Sequence, residues 1–278
     1  MARKRLDAEL VRRGLARSRE QAQELITAGL VTVKGTVATK AATQVDTSDP
    51  VEVVLTEGHG YVSRGAVKLN GALDSFSLID VENRLCLDAG ASTGGFTQVL
   101  LERGAAKVLA VDVGYGQLAW PVRTDERVVV MERTNIRTLT KDVVEYLADL
   151  VVADLSFISL GVVLPAMIEC TAADADFVLM VKPQFEVGRE AVGDGVVRDP
   201  QARKAAVAGV AQRAISLGLE VVGVAASPLP GPSGNVEYFL WMQKGAGGKP
   251  VDDAPRPELL RDDVLQLAIS SAIEKGPQ

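Results

Sequence analysis

Four carboxylates and two lysines interrupt apolar runs: Lys68 in SRGAVKL, Asp88 in LCLDAG, Asp112 in LAVDVG, Asp154 in VVADLSF, Lys182 in LMVKPQF and Glu237 in NVEYFLW. An unpaired charge within or at the end of an apolar strand is costly, so such groups are paired or share a site. One reading is a structural ion-pair network; the other is an Asp–Lys–Glu site at one sheet edge. A lysine desolvated beside another cation or an apolar wall can take a proton, which makes Lys182 a candidate base. Beside these lies LDAGASTGGFTQVL, residues 87–100, which has two incompatible readings. Gly90-x-Ser92-x-Gly94 fits a serine-hydrolase nucleophile elbow. The same residues fit a strand-to-helix loop cradling a nucleotide-like cofactor, with Asp112 about twenty residues on to accept from ribose hydroxyls. The elbow needs a histidine after the serine, and the single histidine, His59, precedes it. The loop is not G-x-G-x-x-G, which argues against a dinucleotide hydride enzyme.

These residues need a sheet to gather them. From residue 84 the chain alternates RLCLDA, KVLAVDV, RVVVME, DLVVADLSF, ADFVLMVKP, LEVVGVAAS and VEYFLWMQ with helical stretches near 95–103, 141–147, 160–171 and 199–217. Near-continuous apolar strands alternating with helices predict an α/β domain with a mostly parallel sheet covered on both faces. PLPGPSGN is too short for a crossover helix, so the seventh strand should be antiparallel. Ligands of such sheets bind outside the carboxyl ends of the strands, where the charges stand. Upstream, helix-spaced Leu6, Leu10, Val11 and Leu15, then Ala22, Leu25 and Ile26, precede a hairpin about Lys34-Gly35. The expected division is a small α+β module at 1–57, a linker at 58–64, the α/β domain at 65–244, a second linker at 245–257 and a C-terminal helix at 258–278.

The chain has 278 residues and a net charge of −6. Residues 1–40 hold nine Lys/Arg against four acids, a local +5 that leaves −11 elsewhere and points to a polyanion contact. Cys86 and Cys170 sit in apolar surroundings and read as buried hydrophobes in a reducing compartment rather than as a disulfide or metal site. The charged start MARKRLDAELVRRGLARS has no apolar signal core, so the cytoplasm is the expected location. Leu150–Ile168 is apolar enough to raise the question of a membrane span, but Asp154 and Pro165 favour a buried strand followed by a buried helix. Tyr61, Phe96 and Phe157 read as core or cleft-wall aromatics, with base stacking as the other reading.

At this point a resemblance becomes specific. RLDAELVRRGLARSREQAQELITAGLVTVKG resembles the S-four RNA-binding module. SRGAVKL, LDAGASTGGFT, DVGYGQL, ADLSFISL, VKPQFE and GNVEYFLW, in that order, resemble the TlyA (haemolysin A) family of ribosomal RNA 2′-O-methyltransferases, whose catalytic domain is similar to the FtsJ type. The resemblance covers essentially the whole chain and implies a Rossmann-like methyltransferase fold that binds S-adenosylmethionine. It further implies a catalytic Lys68, Asp154, Lys182 and Glu237, and cofactor contacts from Gly90, Ser92, Gly94, Phe96, Asp112 and Asn135. Asn135 stands where FtsJ-type enzymes carry an acid, and Phe96 where the tryptophan of that branch stands.

The implied chemistry suits these residues: a ribose 2′-OH needs a base and in-line alignment with a sulfonium methyl, and no metal is expected. Arg3, Arg5, Arg12, Arg17 and Arg19 would contact rRNA phosphates and set register. Residues 186–198 are a candidate lid that orders on RNA. The resemblance implies cytidines in 16S and 23S rRNA within the small and large ribosomal subunits as substrate. Two other readings stand beside it, a membrane-active haemolysin and a non-catalytic ribosome-binding module.

Overall fold

A computed structural model of the chain describes residues 4–16, 18–27, 31–53, 60–188, 192–245 and 258–277. Two compact units divide the chain, Met1–Gly60 and Tyr61–Gln278. In the first, strand β1 (Lys4–Arg5) leads into α1 (Leu6–Arg12) and α2 (Arg19–Thr27). Strands β2 (Val31–Val33), β3 (Thr36–Val37), β4 (Gln44–Val45) and β5 (Val51–Val53) follow. β3-β2-β5 form an antiparallel sheet, with the expected hairpin turning at Lys34-Gly35, and β1 pairs separately with β4. The helix-spaced Leu6, Leu10, Ala22 and Ile26 are buried against Val31, Val45 and Val51. Leu15 is exposed, because α1 closes at Arg12 and the chain turns through Gly14 before the apolar stripe is complete.

The second unit carries α3 (Arg64–Ser75), β6 (Leu85–Ala89), α4 (Gly95–Glu102), β7 (Lys107–Val111), α5 (Trp120–Arg123) and β8 (Val128–Met131). A 3₁₀ turn (Ile136–Thr138) precedes β9 (Ala148–Ala153), α6 (Leu160–Glu169), β10 (Thr171–Val181) and α7 (Pro183–Glu186). Then come α8 (Pro200–Ser216), β11 (Leu219–Ala226), β12 (Tyr238–Lys244) and α9 (Asp262–Lys275). The seven strands order as β11-β12-β10-β9-β6-β7-β8. β12 pairs antiparallel with both β10 and β11, as the short connection before it requires, and the other pairings are parallel. Apolar clusters cover both faces of this sheet, which is why its central strands are apolar throughout.

Two expectations need correction. Residues 141–147 form turns rather than a helix: Val143 and Leu147 point outward, and the Tyr146 hydroxyl donates to the Cys86 carbonyl at 3.0 Å. Conversely, the stretch opening at Arg64 is a twelve-residue helix that the sequence hides behind Gly65 and Gly71. Gly71 is there for contact: a Cβ at this position would lie 2.8 Å from the Pro228 ring, so α3 needs a bare backbone to approach the turn after β11. The candidate span Leu150–Ile168 is the end of β9, a loop and α6, and among the described residues no helix is long and apolar enough to cross a membrane. The expected linker at 245–257 lies, past Gly245, outside the described residues.

Candidate active site

The cradle begins where β6 runs out. Gly90 and Ala91 donate their N–H groups to the Val111 carbonyl at 2.8 and 3.1 Å, tying the glycine loop to the end of β7. Gly90 has φ +86, and a Cβ there would stand 2.6 Å from the Asp154 carbonyl oxygen. Only glycine lets the loop pass that close to β9. Asp112, just past β7, accepts from Ser92 N at 2.8 Å and from Gly114 N at 2.7 Å. Its carboxylate therefore binds the two loops together and keeps lone pairs for a diol. Asp112 meets the backbone of Ser92, not its hydroxyl, which suits a cradle and not a nucleophile. His59 lies outside the described residues.

Ala91, Leu118 and Val130 provide apolar walls beside Asp112, and Glu132 closes the far side. Glu132 accepts from Arg123 at 2.7 Å and Gly116 N at 2.8 Å, and the Arg123 guanidinium holds its carboxyl below the usual range. Sequence reasoning passed over Glu132, although it sits where β8 ends, as Asp112 does for β7. Asn135 is placed differently: it is exposed and its side chain caps the 3₁₀ turn, accepting from Arg137 N at 3.0 Å. Phe96 is also placed differently. Its ring is buried in the core 6.2 Å from Phe239, so what it can offer a ligand is its N–H in the first turn of α4. Gly94 caps that helix in a left-handed conformation.

Beneath the loop, Asp88 is fully buried. It accepts from the Thr97 hydroxyl at 2.6 Å, while its second oxygen has no partner among the described residues. Burial pushes its pKa up to about 7, and the neighbouring Asp154 and Asp112 charges push the same way.

Register assembles the candidate catalytic groups. Ala153 pairs with Leu179 on parallel β9 and β10, so Asp154 and Lys182 emerge together from the same strand ends. Val181 pairs with Tyr238 on antiparallel β12, which sets Glu237 opposite Lys182. Lys182 Nζ meets Asp154 at 2.6 Å and donates to the Ser156 hydroxyl at 3.0 Å. Lys68, from α3, donates to Glu237 at 2.5 Å, and both are buried. The four charged residues are thus two ion pairs along one sheet edge. Ser156 is a partner that the sequence did not single out.

The rim carries an exposed aromatic. Phe157 is 91% exposed with a left-handed backbone at φ +63°, and its ring lies 5.2 Å from that of Phe185 in α7. Glu186 ties the same two loops, accepting from the Ser159 hydroxyl at 2.7 Å and Leu160 N at 2.9 Å. Of the candidate lid, residues 189–191 lie outside the described residues, and its end is anchored: Asn235 accepts from Val197 N and donates to the Gly195 carbonyl.

In the first unit the candidate RNA-binding arginines are not loose. Arg5 and Arg19 both meet the buried Asp7, and Arg12 meets the buried Glu9. Arg3 and Arg17 lie outside the described residues.

Comparison with known proteins matches residues 61–244 to the FtsJ-like methyltransferase family and residues 4–51 to the S4 domain. A 16S/23S rRNA (cytidine-2′-O)-methyltransferase TlyA of Mycobacterium tuberculosis is 58% identical, with all of both chains covered. Hemolysin A of Brachyspira hyodysenteriae is 39% identical over 84% of this chain and 98% of its own. A solved structure from Streptococcus thermophilus, carried under a haemolysin name, has a TM-score of 0.75 and 36% identity over 99% of this chain and 96% of its own. An S4 unit, an FtsJ-like sheet and full-length similarity to TlyA thus converge, and the chain belongs to the TlyA family of ribosomal RNA (cytidine-2′-O)-methyltransferases.

Proposed function

We propose that this protein transfers a methyl group from S-adenosylmethionine to the 2′-oxygen of cytidine ribose in 16S and 23S rRNA, acting on the small and large ribosomal subunits in the cytoplasm. The observation that carries the reading is the pair of ion pairs, Lys182–Asp154 and Lys68–Glu237, at the edge beside the glycine loop. The cradle fits the cofactor's parts: the Asp112 carboxylate suits a ribose diol, Ala91, Leu118 and Val130 suit an adenine, and the loop and first-turn N–H groups of α4 suit a carboxylate. Gly90, Ser92, Gly94, Phe96 and Asp112 would hold it there. Asn135 belongs to the same reading only through a movement out of its cap, and Glu132 is better placed for that contact.

When bound, S-adenosylmethionine supplies an electrophilic sulfonium methyl. Lys182, in its unprotonated form, takes the proton from the 2′-hydroxyl as the oxygen attacks in line, and Asp154 stabilises the ammonium so formed. Ser156 fixes the direction of the Lys182 amine. Lys68 and Glu237 form the buried wall beside it, their charges cancelling inside the sheet edge. A 2′-hydroxyl within structured RNA is reached by splaying out its nucleotide, and the exposed Phe157 offers a face on which a base can stack. Arg5, Arg12 and Arg19, with Arg3 and Arg17, contact phosphates and set register.

Methyl transfer from labelled S-adenosylmethionine to purified 30S and 50S subunits tests the reading, with free rRNA as the comparison. Label in cytidine 2′-O-methyl groups of subunit rRNA is the expected result. No transfer to either subunit, or transfer to a base atom, would overturn it.

A further inference from the structure

Asp7 and Glu9 are the fully buried carboxylates among the described residues of the first unit, set in α1 among the arginines just described. Asp7 accepts from the Nε and Nη2 groups of one Arg5 guanidinium edge (3.1 and 3.0 Å), from Arg19 at 2.9 Å, from Gln23 at 3.3 Å and from Ala8 N at 2.8 Å. Glu9 accepts from Arg12 at 2.7 and 2.6 Å and from Arg13 at 2.7 Å. The arginines divide by what they do next. Arg13 spends its remaining donors on the carbonyls of Asp46, Thr47 and Asp49 and is a structural residue. Arg5 and Arg19 are 45% and 57% exposed and use only the edge that faces Asp7, leaving further N–H groups toward solvent. A solvated arginine pays rotamer entropy when it meets a phosphate; one already held by a bidentate carboxylate has lost that freedom beforehand.

We infer that Asp7 is a positioning residue for rRNA binding: a buried carboxylate that holds the Arg5 and Arg19 guanidinium groups side by side, ready for phosphate oxygens. Glu9 holds Arg12 in the same way while Arg13 locks the α1 end to the 46–49 turn. The inference rests on the reading of these arginines as RNA contacts. Its consequence runs against simple charge counting. Removing Asp7 makes the unit one charge more positive, which by itself strengthens attraction to a polyanion. Positioning predicts weaker binding instead.

The test is equilibrium binding of the full chain to purified ribosomal subunits across a salt series, with thermal unfolding of each variant alongside. Arg5→Ala and Arg19→Ala should each weaken binding and reduce the salt slope by about one. Asp7→Asn should weaken it by about tenfold, and Arg5→Ala should then add little on the Asp7→Asn background. Arg5→Lys, an exposed change that keeps the charge and leaves the fold intact, should weaken binding several-fold because an ammonium cannot hold the bidentate contact with Asp7 and still present a fixed second edge. Asp7→Glu should recover part of the lost affinity. Binding by Asp7→Asn or Arg5→Lys as tight as the parent, while Arg5→Ala is weakened, would overturn the positioning role and leave the arginine reading standing. Unchanged binding in both alanine variants would overturn the arginine reading itself. If Asp7→Asn unfolds, Arg5→Lys decides.

Discussion

Lys182 Nζ lies 2.6 Å from the Asp154 carboxylate, each residue one step beyond the end of adjacent parallel strands β9 and β10. The pair is held from outside as well, by Ser156 on the amine and by Glu186 bridging the two loops. Lys182→Ala should lower methyl transfer by about 10²–10⁴-fold, the usual range for losing a positioned base. Binding of S-adenosylmethionine, measured by calorimetry, should persist because the cradle lies at β6 and β7. Normal turnover in this variant would remove Lys182 from the chemistry.

Lys68 and Glu237 bear on stability and activity separately. Replacing Lys68 alone by Met leaves the Glu237 charge buried and unpaired, which should cost about 3–5 kcal/mol in denaturant unfolding. Replacing Glu237 by Leu in the same protein should restore most of that stability, because a buried ion pair and an apolar pair are close in net free energy. Methyl transfer should stay impaired in the restored double variant. Recovery of activity together with stability would make the pair structural only.

Asp88 should give the second unit an unusual pH dependence. Its pKa is raised in the folded state, to about 7, from an unfolded value near 3.9. Between these values the folded state binds more protons, so this group's contribution is full below about pH 4 and is lost as pH rises toward 7. The loss is on the order of a few kcal/mol. Asp88→Asn should flatten this decline while keeping a partner for Thr97. Chemical denaturation from pH 4 to 8 measures it, and equal slopes in the two proteins would contradict the burial argument.

Phe157 should matter for RNA and not for folding. Its ring is almost wholly exposed, so Phe157→Ala should leave the melting temperature within a degree or two, as surface changes do. If its face receives a splayed base, kcat/KM toward ribosomal subunits should fall by roughly 5- to 150-fold, the equivalent of about 1–3 kcal/mol of stacking. Unchanged kcat/KM would assign the ring to its contact with Phe185 alone.

Acid should loosen the first unit by the opposite route. Asp7 and Glu9 are held well below the carboxylate range by Arg5 and Arg12 respectively, Glu9 at about 2. Their stabilisation is present above the unfolded carboxylate pKa near 4 and is lost as pH falls through the folded values. Hydrogen-exchange protection of residues 4–53, taken relative to the intrinsic exchange rate at each pH, should therefore fall below pH 4, and Glu9→Gln should remove part of that fall. Protection independent of pH over that range would mean that these ion pairs do not hold the unit.

Much of this molecule is legible in its order of residues. Parallel strands buried on both faces must be apolar throughout, so any charge at their ends stands out, and Asp88, Asp112, Asp154, Lys182 and Glu237 are visible for that reason. The missing imidazole after Ser92 excludes a triad by residue order alone. Tertiary structure decided what sequence separation conceals. Lys68 and Glu237 are 169 residues apart, and α3 hides behind Gly65 and Gly71, the second of which is there for contact with Pro228. Phe96 and Phe157 look alike in sequence, yet one ring is in the core and the other in solvent. Glu132 became part of the cradle, and Asn135 a cap, only when β8 and its turn were placed. Asp7 and Glu9 only offset the local positive charge in sequence; packing buries them under their arginines. Local pattern specifies what each strand and helix is, because burial selects residue types one position at a time. Which charges meet is specified by register and packing between segments far apart in the chain.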